Sequence, residues 1–275
     1  MKQPIMTHLV CGYPNIEESQ KLINVLNKYS TFIEVQIPFS DPIADWQIIT
    51  DANEKALENW ITPSKCFEFL EKFMKETNCH PEWNEGSLLH NNNKKQWLRD
   101  SSDKSSKWQL KTNILIMTYY NIAYNYWVEK FIKKSKQIWI YGFIIPDMPY
   151  DEKEWQELIN LCKKYDINLI QVVSPTCEEK RLKELFSISS WFVYAVSKNM
   201  TTWNKIDTWN DFENYIKKLK KIKNIQIWVW FWVKTKKDIE NVCTVADFAI
   251  MWSELIRILN KDWVPWVEKF FNSTN

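Results

Sequence analysis

Phe32-Ile-Glu-Val-Gln-Ile-Pro-Phe-Ser-Asp-Pro-Ile-Ala-Asp45 is apolar at four of its first six residues, with Glu34 and Gln36 set between them, and then turns polar between Pro38 and Pro42. A mainly apolar run of this length suits a strand buried on both faces, as in a parallel sheet. The prolines end it and start a loop that carries Asp41 and Asp45. Glu34 interrupts the apolar run, so its carboxylate points either toward covering helices or into an interior. An unpaired buried carboxylate is costly and titrates high, which suits proton transfer near neutral pH. An ordinary buried ion pair explains the same residue equally well.

Runs of the same kind recur at residues 5–11, 113–118, 140–145, 168–173, 191–196, 225–230 and 247–251. Amphipathic helical patterns lie between them, among others at 16–28, 128–136, 151–164, 178–186, 209–221 and 236–242. Eight buried strands alternating with helices predict a closed parallel (β/α)8 TIM barrel, one domain spanning residues 1–275. In that architecture the loops after the strands carry the chemistry. Residues 78–111 break the rhythm: they are rich in Asn, Ser and Lys and have no sustained period. They read as a polar, disordered insertion at the opposite face, and His80 and His90 within it read as solvated rather than metal-bound.

Composition narrows the function. Against 36 basic residues stand 34 acidic ones, a net +2 that gives no general reason to bind nucleic acid or membrane. No apolar run is long enough to span a bilayer, and residues 1–6 are too short and polar for a signal peptide. Six cysteines are scattered without a C-x-x-C pair, which predicts neither a disulfide framework nor a zinc site and suits a reducing cytoplasm.

The stretch from Phe32 to Asp45 resembles the signature of the tryptophan synthase alpha chains: a Glu in strand 2, then Pro-Phe-Ser-Asp-Pro and Ala-Asp. Leu9-Val-Cys-Gly-Tyr-Pro14, Ile116-Met-Thr-Tyr-Tyr-Asn121, Ile144-Ile-Pro-Asp-Met-Pro149, Ser174-Pro-Thr176 and the segment from Tyr194 to Trp203 resemble the family's strand ends and loops. The likeness covers nearly the whole chain except residues 78–111. It implies a lyase that splits indole-3-glycerol phosphate into indole and glyceraldehyde 3-phosphate, in tryptophan biosynthesis. It implies Glu34 as general acid and base, Asp45 as the carboxylate facing the indole nitrogen, and Tyr194 as a positioning tyrosine. Substrate phosphate is expected at Thr202, Trp203, Phe231, Trp232, Trp252 and Ser253. No metal or cofactor is implied for this chain; the implied partner is a beta chain carrying pyridoxal phosphate, in an α2β2 assembly. The family usually begins with a helix beneath the barrel, and that helix is expected to be absent here.

One departure is systematic. The chain has 17 Trp and 3 Gly, where about 7% glycine is usual, or about 19 residues. The family carries glycine at the end of loop 6, in a Gly-Phe-Gly after strand 7 and in a Gly-Ser after strand 8. This chain has Trp203, Trp230-Phe-Trp232 and Trp252-Ser253 there, with the same exchange at Trp46, Trp60, Trp127, Trp139 and Trp191. A phosphate loop wants glycine so that main chain can approach the anion. The simplest expectation is a UGA codon that the source reads as glycine and that is written here as tryptophan. If the indoles are genuine, the alternative is a catalytically impaired scaffold subunit that activates the beta chain. A stand-alone lyase releasing indole is a further alternative. Another phosphate-binding barrel, such as a ribulose-phosphate epimerase relative, fits the strand-2 motif poorly.

Overall fold

The computed structural model describes residues 3–42, 45–77, 112–147, 152–197, 208–230 and 233–272. Eight strands close into a parallel barrel in sequential order. They are β1 (Gln3–Val10), β2 (Ser30–Gln36), β3 (Asn113–Met117), β4 (Gly142–Ile144), β5 (Asn168–Val173), β6 (Phe192–Val196), β7 (Gln226–Trp230) and β8 (Phe248–Met251). The expected (β/α)8 class holds, and strand limits move by one or two residues. Ile140 falls outside β4 because its amide closes the preceding helix on the Ser135 carbonyl at 3.0 Å.

The covering helices begin with α1 (Ile16–Tyr29), α2 (Gln47–Glu58), α3 (Pro63–Glu76), α4 (Tyr120–Asn125) and α5 (Val128–Gln137). They continue with α6 (Lys153–Lys164), α7 (Glu179–Ile188), α8 (Trp209–Ile222), α9 (Lys236–Val245), α10 (Ser253–Asp262) and α11 (Val264–Asn272). Several starts are encoded locally. Asn15 accepts from the Glu18 amide, Thr62 from Lys65, with Pro63 beginning the helix, and Thr235 forms a reciprocal capping box with Asp238.

Alternate residues of each strand face opposite sides, and the barrel buries both. Ile33 and Val35 of β2 join the core between sheet and helices, with Leu22, Leu26 and Phe73. Phe32 points inward and joins a second core inside the ring with Met6, Leu115, Ile144, Ile170, Phe192, Trp228 and Ile250. Glu34 shares the parity of Phe32, so the barrel's closure sends its carboxyl into the lumen. The segment 78–111 lies outside the described residues. Among those that are described, no helix is long and apolar enough to cross a membrane.

Candidate active site

In the β1–β2 ladder Glu34 pairs with His8, and in the β2–β3 ladder with Leu115. Its side chain is fully buried. Oε2 accepts the Trp252 indole N–H at 2.7 Å, and Oε1 has no partner. Burial disfavours the anion and pushes the carboxyl up to about 8; the indole N–H pulls the other way and the nearby Asp45 charge adds to the rise. Glu34 is therefore mainly a proton-bearing acid at neutral pH.

Asp45 stands where the loop after β2 runs into α2. Its Oδ2 accepts from Gln36 Nε2 at 2.7 Å and from Asn53 Nδ2 at 3.3 Å, while Oδ1 is buried without a partner. Asn53 is itself fixed, since Nδ2 also reaches the Ile49 carbonyl at 3.0 Å and Oδ1 takes the Phe39 amide at 3.2 Å. Burial raises the Asp45 carboxyl to about 6, against hydrogen bonds from Gln36, Tyr119 and Asn53 that favour the anion. Two neighbouring carboxyls are thus set on opposite sides of neutrality, the arrangement that separates an acid from an anion. Tyr194 rises from β6 with its hydroxyl buried and unpartnered, and burial together with Glu34 and Asp45 holds it in the phenol form.

At the same mouth α10 begins. Trp252 precedes it without a side-chain cap, and Ser253 is its first residue. The N-terminal end of that helix suits an anion. Beside them is a cavity of about 220 Å³ lined by Trp46, Trp230, Trp252, Ser253, Lys234 and Arg257. The cavity is narrowed by indoles. Trp252 lies over His8 with ring centres 4.5 Å apart and 5.9 Å from Trp230, and Trp230 meets Trp46 at 5.7 Å.

Glu34, Asp45 and Tyr194 meet in one lumen mouth, with Trp252 and Ser253 on its rim. Thr202, Trp203, Phe231 and Trp232 lie outside the described residues. Two lumen residues escaped the sequence reading. Gln36 holds Asp45, and His8 is fully buried with Nδ1 3.7 Å from Glu34 Oε2. Strand parity was the available signal: Gln36 lies two residues beyond Glu34 on the same face.

A closed parallel barrel with a desolvated carboxylic acid, a second carboxyl and an anion-suited helix start at one end defines a (β/α)8 enzyme of acid–base chemistry. The family model described as tryptophan synthase alpha chain matches residues 1–82 and 84–268. The chain belongs to the tryptophan synthase alpha chain family, whose members are lyases. It is 32% identical to the tryptophan synthase alpha chain of Methanocaldococcus jannaschii over 92% of this chain and 78% of that one. With that of Petrotoga mobilis the identity is 31%, over 94% and 87%. In fold it resembles tryptophan synthase subunit alpha from Campylobacter jejuni, with a TM-score of 0.75 at 24% identity over 100% of this chain and 96% of that one. It also resembles a chain of the tryptophan synthase complex from Pyrococcus furiosus, with a TM-score of 0.76 at 21% identity over 98% and 95%.

Proposed function

We propose that this chain cleaves indole-3-glycerol phosphate in a retro-aldol reaction, with Glu34 moving both protons. The observation that carries this reading is the pair of lumen carboxyls, Glu34 titrating at about 8 and Asp45 at about 6. Glu34 starts protonated and delivers its proton to indole C3. The ring becomes an indolenine cation, and Asp45, still an anion, stabilises positive charge at the ring nitrogen. Glu34, now a carboxylate, takes the proton from the hydroxyl on the carbon attached to C3. The bond from that carbon to C3 breaks, its electrons restore the aromatic indole, and an aldehyde is left on the phosphorylated fragment. Electrostatic stabilisation of developing charge is often a large catalytic contribution, and one carboxyl used first as acid and then as base regenerates itself.

Tyr194 supports the reading as a fixed phenol beside both carboxyls. Phosphate binding is assigned to the first turn of α10 at Ser253 and to the loops bearing Thr202, Trp203, Phe231 and Trp232. The partner is a beta chain carrying pyridoxal phosphate, in an α2β2 assembly, contacting the face that bears the loops after β2, β3 and β6; the complex is cytoplasmic. The test is indole release by the chain carrying glycine at the family's glycine positions, with and without Glu34→Gln. Unchanged turnover in the variant removes the mechanism, and failure of a beta chain to co-purify or to raise the rate removes the partner.

One observation favours a second reading for the polypeptide with its indoles in place. Trp252 already occupies Glu34 Oε2 and, with Trp230, narrows the cavity beside it. Such a chain keeps only a scaffold's task of activating the beta chain.

A further inference from the structure

We infer that Trp60, Trp127, Trp139 and Trp263 stand at positions that are glycine in the functional protein, and that the backbone itself requires it. Among the described residues five non-glycines adopt a left-handed φ: Trp60 at 57°, Trp127 at 70°, Trp139 at 57°, Trp263 at 66° and Asp166 at 50°. Aspartate tolerates that region; a bulky aromatic is an outlier there. The local hydrogen bonds say why the region is needed. Past α2, the Trp60 amide bonds the Leu57 carbonyl at 2.8 Å and the Ile61 amide reaches Ala56 at 3.2 Å. Past α5, Trp139 bonds Lys136 at 3.0 Å and Ile140 bonds Ser135 at 3.0 Å. These are Schellman turns, whose left-handed residue is usually glycine. Past α6 the same turn carries Asp166, bonded to Lys163 at 3.2 Å.

The side chains tell the same story from the other direction. Trp60 is 80% exposed and Trp127 77%, so these indoles bury little of the surface that makes tryptophan worth having. Trp46 has a buried indole N–H group with no acceptor. Trp252 and Trp230 crowd the one region where main chain must approach an anion. Where the sequence has glycine it meets the same kind of backbone demand: Gly12 adopts φ +80, and in β4 a Cβ on Gly142 would lie 2.6 Å from the Asn168 carbonyl oxygen. UGA differs from the glycine codon GGA in its first base alone. One decoding rule therefore covers the helix ends and the active-site rim together.

The conformational part stands whether or not the chain is a lyase, and the experiment separates the two. The codons at Trp60, Trp127, Trp139 and Trp263 are expected to be UGA; UGG at those positions overturns the inference. Two genes are then expressed, one with tryptophan and one with glycine at positions 46, 60, 127, 139, 191, 203, 230, 232, 252 and 263, and melted by circular dichroism. The glycine chain is expected to melt at least about 10 °C higher, from release of the left-handed strain alone. Equal melting of the two chains overturns the inference. A stable glycine chain that releases no indole upholds it and sinks the lyase reading instead.

A separate observation, resting on the lyase reading of Glu34, carries a second inference: His8 is a positioning residue whose Nδ1–H holds the Glu34 carboxylate in the lumen. The two are direct partners in the β1–β2 ladder, so their adjacency is fixed by the sheet and not by Trp252. His8 is fully buried, neither ring nitrogen has a hydrogen-bond partner, and Nδ1 lies 3.7 Å from Oε2. A small closure makes that contact a hydrogen bond when Glu34 becomes an anion mid-reaction. Burial keeps the imidazole neutral, lowering it to about 3. Among the described residues, the groups facing Glu34 are His8 from β1, Asp45 from the loop after β2, Tyr194 from β6 and Trp252 ahead of α10, and none of them is a cation. Infrared titration of the Glu34 carboxyl in the resting glycine chain tests this without needing turnover. His8→Phe is expected to raise the titration by about one pH unit, and His8→Asn, which keeps a donor, to hold it near the parent. A titration unmoved or lowered in His8→Phe overturns the positioning role.

Discussion

The two sides of the barrel mouth are built to different standards. On the β1–β2 side Asp45 is gripped by Gln36 and Asn53, and Asn53 is anchored in turn by Ile49 and Phe39. Such support holds a catalytic group in place. On the β7–β8 side Trp230 and Trp252 pack against Trp46 and His8 and narrow the cavity where an anion would enter. A chain losing its function by drift would erode both sides. Here the damage follows one residue type, and the same type disturbs helix ends far from the site.

The sharpest way to break that contrast is to damage each side separately in the glycine chain. Glu34→Gln removes the only proposed proton carrier and should lower kcat by about 1,000-fold. Asp45→Asn removes charge stabilisation alone and should lower it by about 100-fold. Returning tryptophan at position 252 alone should abolish substrate binding while leaving both carboxyls in place. Turnover that survives this last change would show that the indole is no obstruction, and the asymmetry would lose its meaning.

A smaller effect tests the intact side directly. Activity needs Asp45 ionised and Glu34 protonated, so kcat/KM for the free enzyme should rise through about pH 6 and fall through about pH 8. Asp45→Asn should remove the acid limb and leave the alkaline one. Stability has its own sign. The folded Glu34 carboxyl titrates above its unfolded value of 4.5, so its contribution is complete below that pH and is lost as pH rises through about 8. Glu34→Gln should therefore flatten the decline in melting temperature between pH 5 and pH 9, relative to the parent. A decline of equal steepness in both would place the buried proton elsewhere.

Much of the barrel could be read from the chain because parallel strands buried on both faces are unbroken apolar runs. Parity groups Glu34 with Phe32 and Gln36 and sets them against Ile33, Val35 and Ile37, but only closure of the ring puts Phe32 inside and Ile33 and Val35 outside. His8 stayed invisible for the same reason. α2 had little periodic signal, since its buried stripe is Ile49, Ala52, Asn53 and Ala56, and Asn53 is there to hold Asp45 rather than to pack. The glycine positions after the strands came from family resemblance. Those at helix ends now have a reason of their own in φ.

The smallest expected effect compares two turns of the same backbone conformation. α5 and α6 end alike, the first on Trp139 at φ 57° and the second on Asp166 at φ 50°. Trp139→Gly should stabilise by about 1 kcal/mol, because the left-handed strain on an L-residue disappears while a half-buried ring gives up some packing. Asp166→Gly should change stability by under about 0.5 kcal/mol, since aspartate already tolerates the region and its ion pair with Lys136, at 3.2 Å, is largely exposed. Urea unfolding of the two variants, made singly in the tryptophan chain, measures both. Equal gains would mean that the turn rewards glycine whatever it replaces. Only a larger gain at 139 assigns the strain to the indole.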